Sequence, residues 1–258
     1  MVERRIEDGV AILTFNRPER MNAWTPELGE RYFDLLEECA AAADVRAIVV
    51  TGAGRGFCVG ADMEVLQAVG DAAETPDDAA VTQARQQTLP LSIPKPIVAA
   101  VNGACAGLGL VMALMCDIRF AAAGAKFTTA FARRGLVAEH GMSWVLPRLV
   151  GHARALDLLL SGRVFLAEEA AELGVVNRVV NPDAVLDEAL AYARDLAENC
   201  SPASLAVMKH QVYAHWELDC ESALEESNRL MVESLSRPDL AEGVQSFLEG
   251  RPPRFPPL

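Results

Sequence analysis

The stretch Ile97-Val-Ala-Ala-Val-Asn-Gly-Ala-Cys-Ala-Gly-Leu-Gly-Leu-Val-Met-Ala-Leu-Met-Cys-Asp117 limits the folds open to this chain more than any other. It opens with β-branched and small residues, breaks at Asn102-Gly103, passes Gly107 and Gly109, and runs on as an unbroken apolar segment to Asp117. The pattern predicts a buried strand, a glycine loop and a buried helix. At such a turn the first helical amides have no intrahelical acceptor, and the helix dipole adds to their positive potential. The turn is therefore suited to an anion. The same glycines also suit close packing of strand on helix, and spacing alone does not separate the two uses.

Similar units flank this one. Val10–Phe15 reads as a strand, and Thr25 and Pro26 open a helix whose apolar residues Leu28, Tyr32, Leu35, Leu36 and Cys39 share one face. Arg46–Thr51 is an almost wholly aliphatic strand of the kind buried on both faces. Gly52 to Asp62 is a glycine-rich loop feeding a short helix, with Asp62 placed to cap it. Residues 70–82 show no periodicity and read as a mobile surface loop, while Gln83, Gln86 and Gln87 suggest a helix up to Leu89. Pro90, Pro94 and Pro96 enforce extended chain ahead of Ile97. Beyond Asp117 the patterns predict a strand through Phe120, helices from Gly141 to Gly151, Ala153–Leu160 and Ala167–Leu173, and a strand over Val175–Val180. The recurrence of strand, glycine turn and helix marks a repeating unit. From Asp183 onward every strong pattern is helical, up to a proline-rich tail that cannot be. The chain thus divides by composition into a mixed part, 1–185, and a helical part, 186–258, whose apolar stripes need covering by the core or by a neighbouring subunit.

A net charge of −13 disfavours nucleic acid and anionic membranes, both of which require a basic face. No uncharged apolar run reaches the roughly 18 residues of a membrane span, and no apolar segment follows the N-terminal charges as in a secretory leader. A cytoplasmic protein is expected. Its cysteines, at 39, 58, 105, 116, 200 and 220, include no CxxC pair and read mostly as buried free thiols. No metal-binding spacing is present.

Several short motifs in order resemble the crotonase superfamily, the enoyl-CoA hydratase/isomerase fold. They are Asn16-Arg-Pro…Met21-Asn-Ala, Arg55-Gly-Phe-Cys-Val-Gly-Ala-Asp62, Pro94-Lys-Pro-Ile-Val-Ala-Ala-Val-Asn-Gly103, the glycine loop, Met115-Cys-Asp117, Leu160-Ser-Gly162 and Arg251-Pro-Pro-Arg-Phe255. Each is short and degenerate, but their order and spacing are specific. The resemblance implies an α/β spiral of repeated ββα units with a C-terminal helical region, assembled as a homotrimer or a dimer of trimers. It implies an acyl-CoA thioester substrate and no cofactor beyond the coenzyme A that the substrate brings. By motif position, the backbone amides of Ala61 and Leu108 would form an oxyanion hole for the thioester enolate. Fixed backbone donors need no reorganisation as charge develops, and each is typically worth roughly 2.7–4 kcal/mol of barrier. Leu108 replaces the small residue of many relatives without removing the donor. The resemblance also sets Arg20 and the Ala61-Asp62-Met63 backbone near the CoA moiety, where a local arginine would offset the acidity of the chain.

Hydratases of this family use two glutamates, one to activate water and one to deliver a proton to the α-carbon. The corresponding positions here are Val111 and Phe131, and neither transfers protons. The next carboxylate is Glu139, in a Gly-x-x-x-Glu segment similar to the one that supplies the catalytic acid in Δ3,Δ2-enoyl-CoA isomerases. One carboxylate suffices for that reaction. The competing reading makes Glu139 a cap for the helix that begins near Gly141. His140, beside it, titrates near neutrality. The expectation is a Δ3,Δ2-enoyl-CoA isomerase acting through Glu139. An atypical hydratase using Glu139 with His140, or a silent acyl-CoA-binding subunit, stands as the alternative.

Overall fold

The computed structural model describes residues 1–71 and 85–258. Strands β1 (Val2–Glu7) and β2 (Val10–Phe15) form a hairpin. Its two-residue turn, Asp8-Gly9, has both φ angles positive, at 50° and 75°, as the twist of a tight hairpin requires. The hydrophobic pattern gave no sign of β1, because Glu3, Arg4 and Arg5 are exposed on both of its faces. Charges of this kind protect an edge strand from further pairing.

Beyond the hairpin the chain alternates between two sheets. Strands β3 (Ala47–Gly52), β5 (Ile97–Val101), β7 (Ile118–Ala122) and β10 (Arg178–Val180) extend β2 in parallel, completing a six-stranded sheet ordered β1-β2-β3-β5-β7-β10. The short strands β4 (Gly56–Cys58), β6 (Ala104–Ala106), β8 (Lys126–Thr128) and β9 (Phe165–Leu166) form a second sheet in that order. Each of β3, β5 and β7 is followed by its partner in the second sheet and then by helix. The helices after β4 and β6 are α2 (Met63–Asp71) and α4 (Leu108–Leu114), and α5 (Met142–Val150) follows β8. This is the repeated ββα spiral. Helix α1 (Pro26–Ala41) packs on β1 and β2, with the Thr25 hydroxyl accepting from the Leu28 amide.

Two details differ from the sequence pattern. Val175 and Val176 are not in a strand, since their amides donate to the Ala170 carbonyl at 2.8 and 3.1 Å and close α7 (Ala167–Leu173) at Gly174. The strand therefore begins only at Arg178. The helix expected up to Leu89 is instead a single turn, α3 (Leu89–Ser92), with residues 85–88 outside it. Of the surface loop expected over 70–82, residues 70 and 71 are instead the end of α2, and the remainder, with the helical reading at Gln83, lies outside the described residues.

Asp117 ends the opening motif as a structural tie. Its carboxylate accepts from the Ile97 amide at 2.7 Å, Lys209 Nζ at 2.8 Å and the Tyr213 hydroxyl at 3.0 Å. It thereby joins the start of β5 to α9 (Pro202–Ala214). Helix α8 (Val185–Asn199) lays Ala189, Leu190, Ala193 and Ala197 on the large sheet. By contrast α9, α10 (Cys220–Leu235) and α11 (Pro238–Glu249) leave Met208, Val212, Leu224, Val232 and Phe247 exposed.

The cysteines allow a direct check of the core. Cys39, Cys58, Cys105 and Cys116 are buried, Cys200 is half-buried and Cys220 is exposed. Burial pushes the thiols of Cys58 and Cys116 up to about 12, far from the thiolate form that reacts. Titration of the native protein with a thiol-specific disulfide reagent is expected to modify Cys220 quickly and Cys200 slowly. The four buried thiols should react only in denaturant, and native reaction of all six would contradict this packing.

Candidate active site

The loop after β2 is built around Asn22, which is buried with a φ of 57°. Its side-chain amide donates to the carbonyls of Ala53 and Gly56 at 2.9 and 2.8 Å, and its oxygen accepts from the Arg17 amide. Arg17 donates to the Ala23 carbonyl at 2.6 Å and to Asp62 at 3.1 Å. Trp24 then bridges to the segment after β4, its amide donating to Gly60 and its carbonyl accepting from Asp62. This pairing uses the groups on either side of the Ala61 amide and leaves that amide without an acceptor among the described residues.

The second amide comes from the glycine loop. Gly107 adopts φ 48°, ψ −120°, a conformation that essentially only glycine accepts, and its amide donates to Thr128. Helix α4 starts at the next residue, so the Leu108 amide is also free of an acceptor. The two segments lie against each other. A Cβ placed on Gly60 would stand 3.6 Å from the Leu108 nitrogen and 3.0 Å from the Ala106 carbonyl oxygen.

Both segments open on one cavity of about 400 Å³, a size suited to a small ligand. One wall runs from Val59 to Met63 with Arg20 and Leu66, and another is Ala106–Leu108. The third is formed by Thr128–Phe131, Arg134, Leu136 and Glu139. Of the residues singled out in the sequence, Arg20, Ala61, Asp62, Met63, Leu108, Phe131 and Glu139 line it. Val111 and His140 do not. Val111 is fully buried in α4, on a face turned to the core.

Two carboxylates are present among the described lining residues, and they differ in what holds them. Asp62 accepts from the Glu64 amide and from Arg17, both at 3.1 Å. The amide first, and then the guanidinium, hold it below the usual carboxylate range. It caps α2, as the sequence suggested. The Glu139 carboxylate accepts no hydrogen bond among the described residues, from α5 or elsewhere. Helix α5 instead receives the Glu139 backbone carbonyl, which accepts from Met142 at 3.0 Å. No hydrogen bond among the described residues makes the Glu139 side chain a cap of α5. The titratable neighbour of Glu139 is His140, whose Nε2 lies 3.6 Å from Oε1. Arg20, assigned to the CoA side, is paired with Glu64 at 2.7 Å.

His140 has a φ of 55°, left-handed for a non-glycine residue. Burial lowers its pKa below 6.5, with Glu139 opposing the shift. The unfolded chain therefore takes up a proton near pH 6.5 before the folded one does. Stability should be fully present above that pH and fall as the pH drops toward the folded value. His140→Gln is expected to flatten this part of the profile. Denaturant melts between about pH 7 and 5 would show the same slope in both proteins if the imidazole were freely solvated.

Arg134, Leu66 and Leu136 line the cavity without having been singled out. The one available signal was the Arg133-Arg134 pair in an acidic chain, directly before the Glu139 segment.

Comparison with known proteins identifies the family. Residues 5–257 match the family model described as enoyl-CoA hydratase/isomerase. The chain is 36% identical to the 1,2-epoxyphenylacetyl-CoA isomerase of Escherichia coli, across 97% of this chain and 96% of that protein. It is 38% identical to a probable enoyl-CoA hydratase of Rhodobacter capsulatus, across 98% and 97%. The crystal structure of a probable enoyl-CoA hydratase/isomerase from Mycobacterium abscessus superposes with a TM-score of 0.92 at 32% identity, covering 100% of this chain and 99% of that one. With its ββα spiral and its full-length match, this chain belongs to the enoyl-CoA hydratase/isomerase family, within the crotonase superfamily.

Proposed function

We propose that the protein isomerises 3-enoyl-CoA to 2-enoyl-CoA, with Glu139 as the single proton carrier and the Ala61 and Leu108 amides as the oxyanion hole. The observation that carries this reading is the contrast between the two lining carboxylates: Asp62 is engaged twice, and Glu139 is open to the cavity. Phe131 and the core-facing Val111 leave the positions of a hydratase's two glutamates without a carboxylate.

Glu139 removes a proton from C2, and the electrons pass through the C1–C2 bond onto the thioester oxygen, giving a dienolate. The two free amides bind that oxygen as its charge grows, and fixed dipoles do so without reorganisation. The protonated Glu139 then returns the proton to C4, and the double bond settles between C2 and C3. Atoms and charge balance without a further reactant, and coenzyme A enters as part of the substrate. Arg20 and the Asp62-Met63 backbone would face the CoA portion.

The 3.6 Å approach of His140 to Glu139 supports a second reading. In it the pair orients water for hydration of 2-enoyl-CoA. An acyl-CoA panel offering both double-bond positions to the wild type and to Glu139→Gln separates these reactions from a silent acyl-CoA-binding subunit. The exposed apolar residues of α9 to α11 support a trimer or a dimer of trimers. Sedimentation equilibrium is expected to return three or six times the 27.7 kDa of the chain, and a monomer would refute it. Among the described residues no helix is long and apolar enough to cross a membrane, and a cytoplasmic setting is proposed with the rest.

A further inference from the structure

Arg134 is the last residue of a short 3-10 turn, Ala132–Arg134, closed by Gly135 at a φ of 73°. The Phe131 carbonyl accepts from both the Arg134 amide, at 2.8 Å, and the Leu136 amide, at 3.0 Å, so the backbone that carries the side chain is fixed. The neighbouring Arg133 spends its guanidinium on the Ser161 carbonyl at 2.9 Å. Arg20, on another wall of the cavity, is paired with Glu64. Arg134 lines the cavity with no hydrogen bond or ion pair to its guanidinium among the described residues. Arg134 is exposed, as are Arg55 and Arg154, which likewise have no ion pair among the described residues; what sets Arg134 apart is its place in the cavity lining. It stands on the same wall as Phe131, Leu136 and Glu139, which otherwise offers an acyl chain mainly apolar surface.

We infer that Arg134 is an anion-binding point for the acyl group, and that the preferred thioesters carry a carboxylate remote from the reacting carbons. A guanidinium presents a planar fork of donors that matches a carboxylate in two parallel hydrogen bonds. The inference rests on the reading of this cavity as an acyl-CoA site. The shared chemistry is an anionic oxygen group, and CoA itself offers one in its phosphates. The place of Arg134 in the same segment of the lining as Glu139 favours the acyl end.

Isothermal titration of hexanoyl-CoA, adipoyl-CoA and free CoA into the full-length protein tests this without requiring turnover. The wild type is expected to bind adipoyl-CoA at least about tenfold more tightly than hexanoyl-CoA, the range of a hydrogen bond to a charged group. Arg134→Met should level the two while leaving hexanoyl-CoA and CoA unchanged, and Arg134→Lys should keep part of the preference. Equal wild-type affinities overturn the inference, as does an equal loss for all three ligands in Arg134→Met, which would place the guanidinium on a CoA phosphate. If none of the three binds the wild type, the acyl-CoA reading of the cavity falls first. An inactive wild type that still prefers adipoyl-CoA would refute the isomerase reading and leave this one standing.

Discussion

Glu139→Gln is expected to lower kcat for 3-enoyl-CoA isomerisation by about 10²–10⁴-fold, the usual worth of a positioned acid/base, with KM close to that of the wild type. Glutamine preserves the shape of the side chain and cannot take up the C2 proton. No other lining group stands in for it among the described residues, because Asp62 is held by Arg17 and the Glu64 amide. The Glu139 side chain is 35% exposed and has no hydrogen-bonded partner to orphan, so thermal stability should change little. The ultraviolet absorbance of the conjugated 2-enoyl thioester follows the reaction directly. A variant with wild-type kcat would move the proton chemistry to another residue. A wild type inactive on both double-bond positions would favour the silent subunit, and efficient hydration of 2-enoyl-CoA would favour the pair with His140.

The proposed oxyanion donors are backbone amides, which only proline would remove, at the cost of fixing φ, but the packing that aims them can be disturbed. Gly109→Ala is expected to destabilise the protein by about 1–3 kcal/mol, as overpacking does, and to cut kcat by up to about 10²-fold. A Cβ at Gly109 would fall 2.0 Å from the Cys58 carbonyl oxygen and 2.9 Å from the Cys58 Cβ. Neither a strand carbonyl nor the Cβ beside it can swing away, so α4 must withdraw from β4 and carry the Leu108 amide with it. Affinity for the ground-state thioester should weaken too, since on the proposed reading its carbonyl oxygen would already meet these amides, and this separates the variant from Glu139→Gln. Gly70→Ala is the control. A Cβ there meets nothing within 4 Å, and an alanine inside α2 should add about 0.5–1 kcal/mol of stability. Unchanged melting and turnover in Gly109→Ala would show that the loop does not set the donors.

Asn22 and Asn102 show how much of the site could be read before the fold was known. Both belong to the motifs that carry the family resemblance, and neither residue lines the candidate cavity. Asn102 accepts from the Gly52 amide at 3.1 Å and donates to the Gly54 carbonyl at 3.0 Å, while Asn22 binds the same loop from the other side. Their function is to fix the Gly52–Gly60 loop that delivers the Ala61 amide. A motif reading marks such residues without distinguishing a tie from a reacting group. Arg134 went unremarked because a guanidinium stands out only when its possible partners are known to be absent.

By itself the sequence determined the succession of strand, glycine turn and helix, the free amide at the start of α4 and the lack of a carboxylate at 111 and 131. These follow from local quantities: side-chain periodicity, the dihedral freedom of glycine and the chemistry of single residues. The tertiary structure decided the rest. It turned Val111 to the core and Phe131 to the cavity, withdrew Asp62 into an ion pair with Arg17, and left Glu139 uncapped beside His140. It also set Gly60 against Leu108 so that two unpartnered amides share one opening. Each of these outcomes depends on which groups meet across the two sheets, and such meetings are set by burial and hydrogen bonding between segments far apart in the chain.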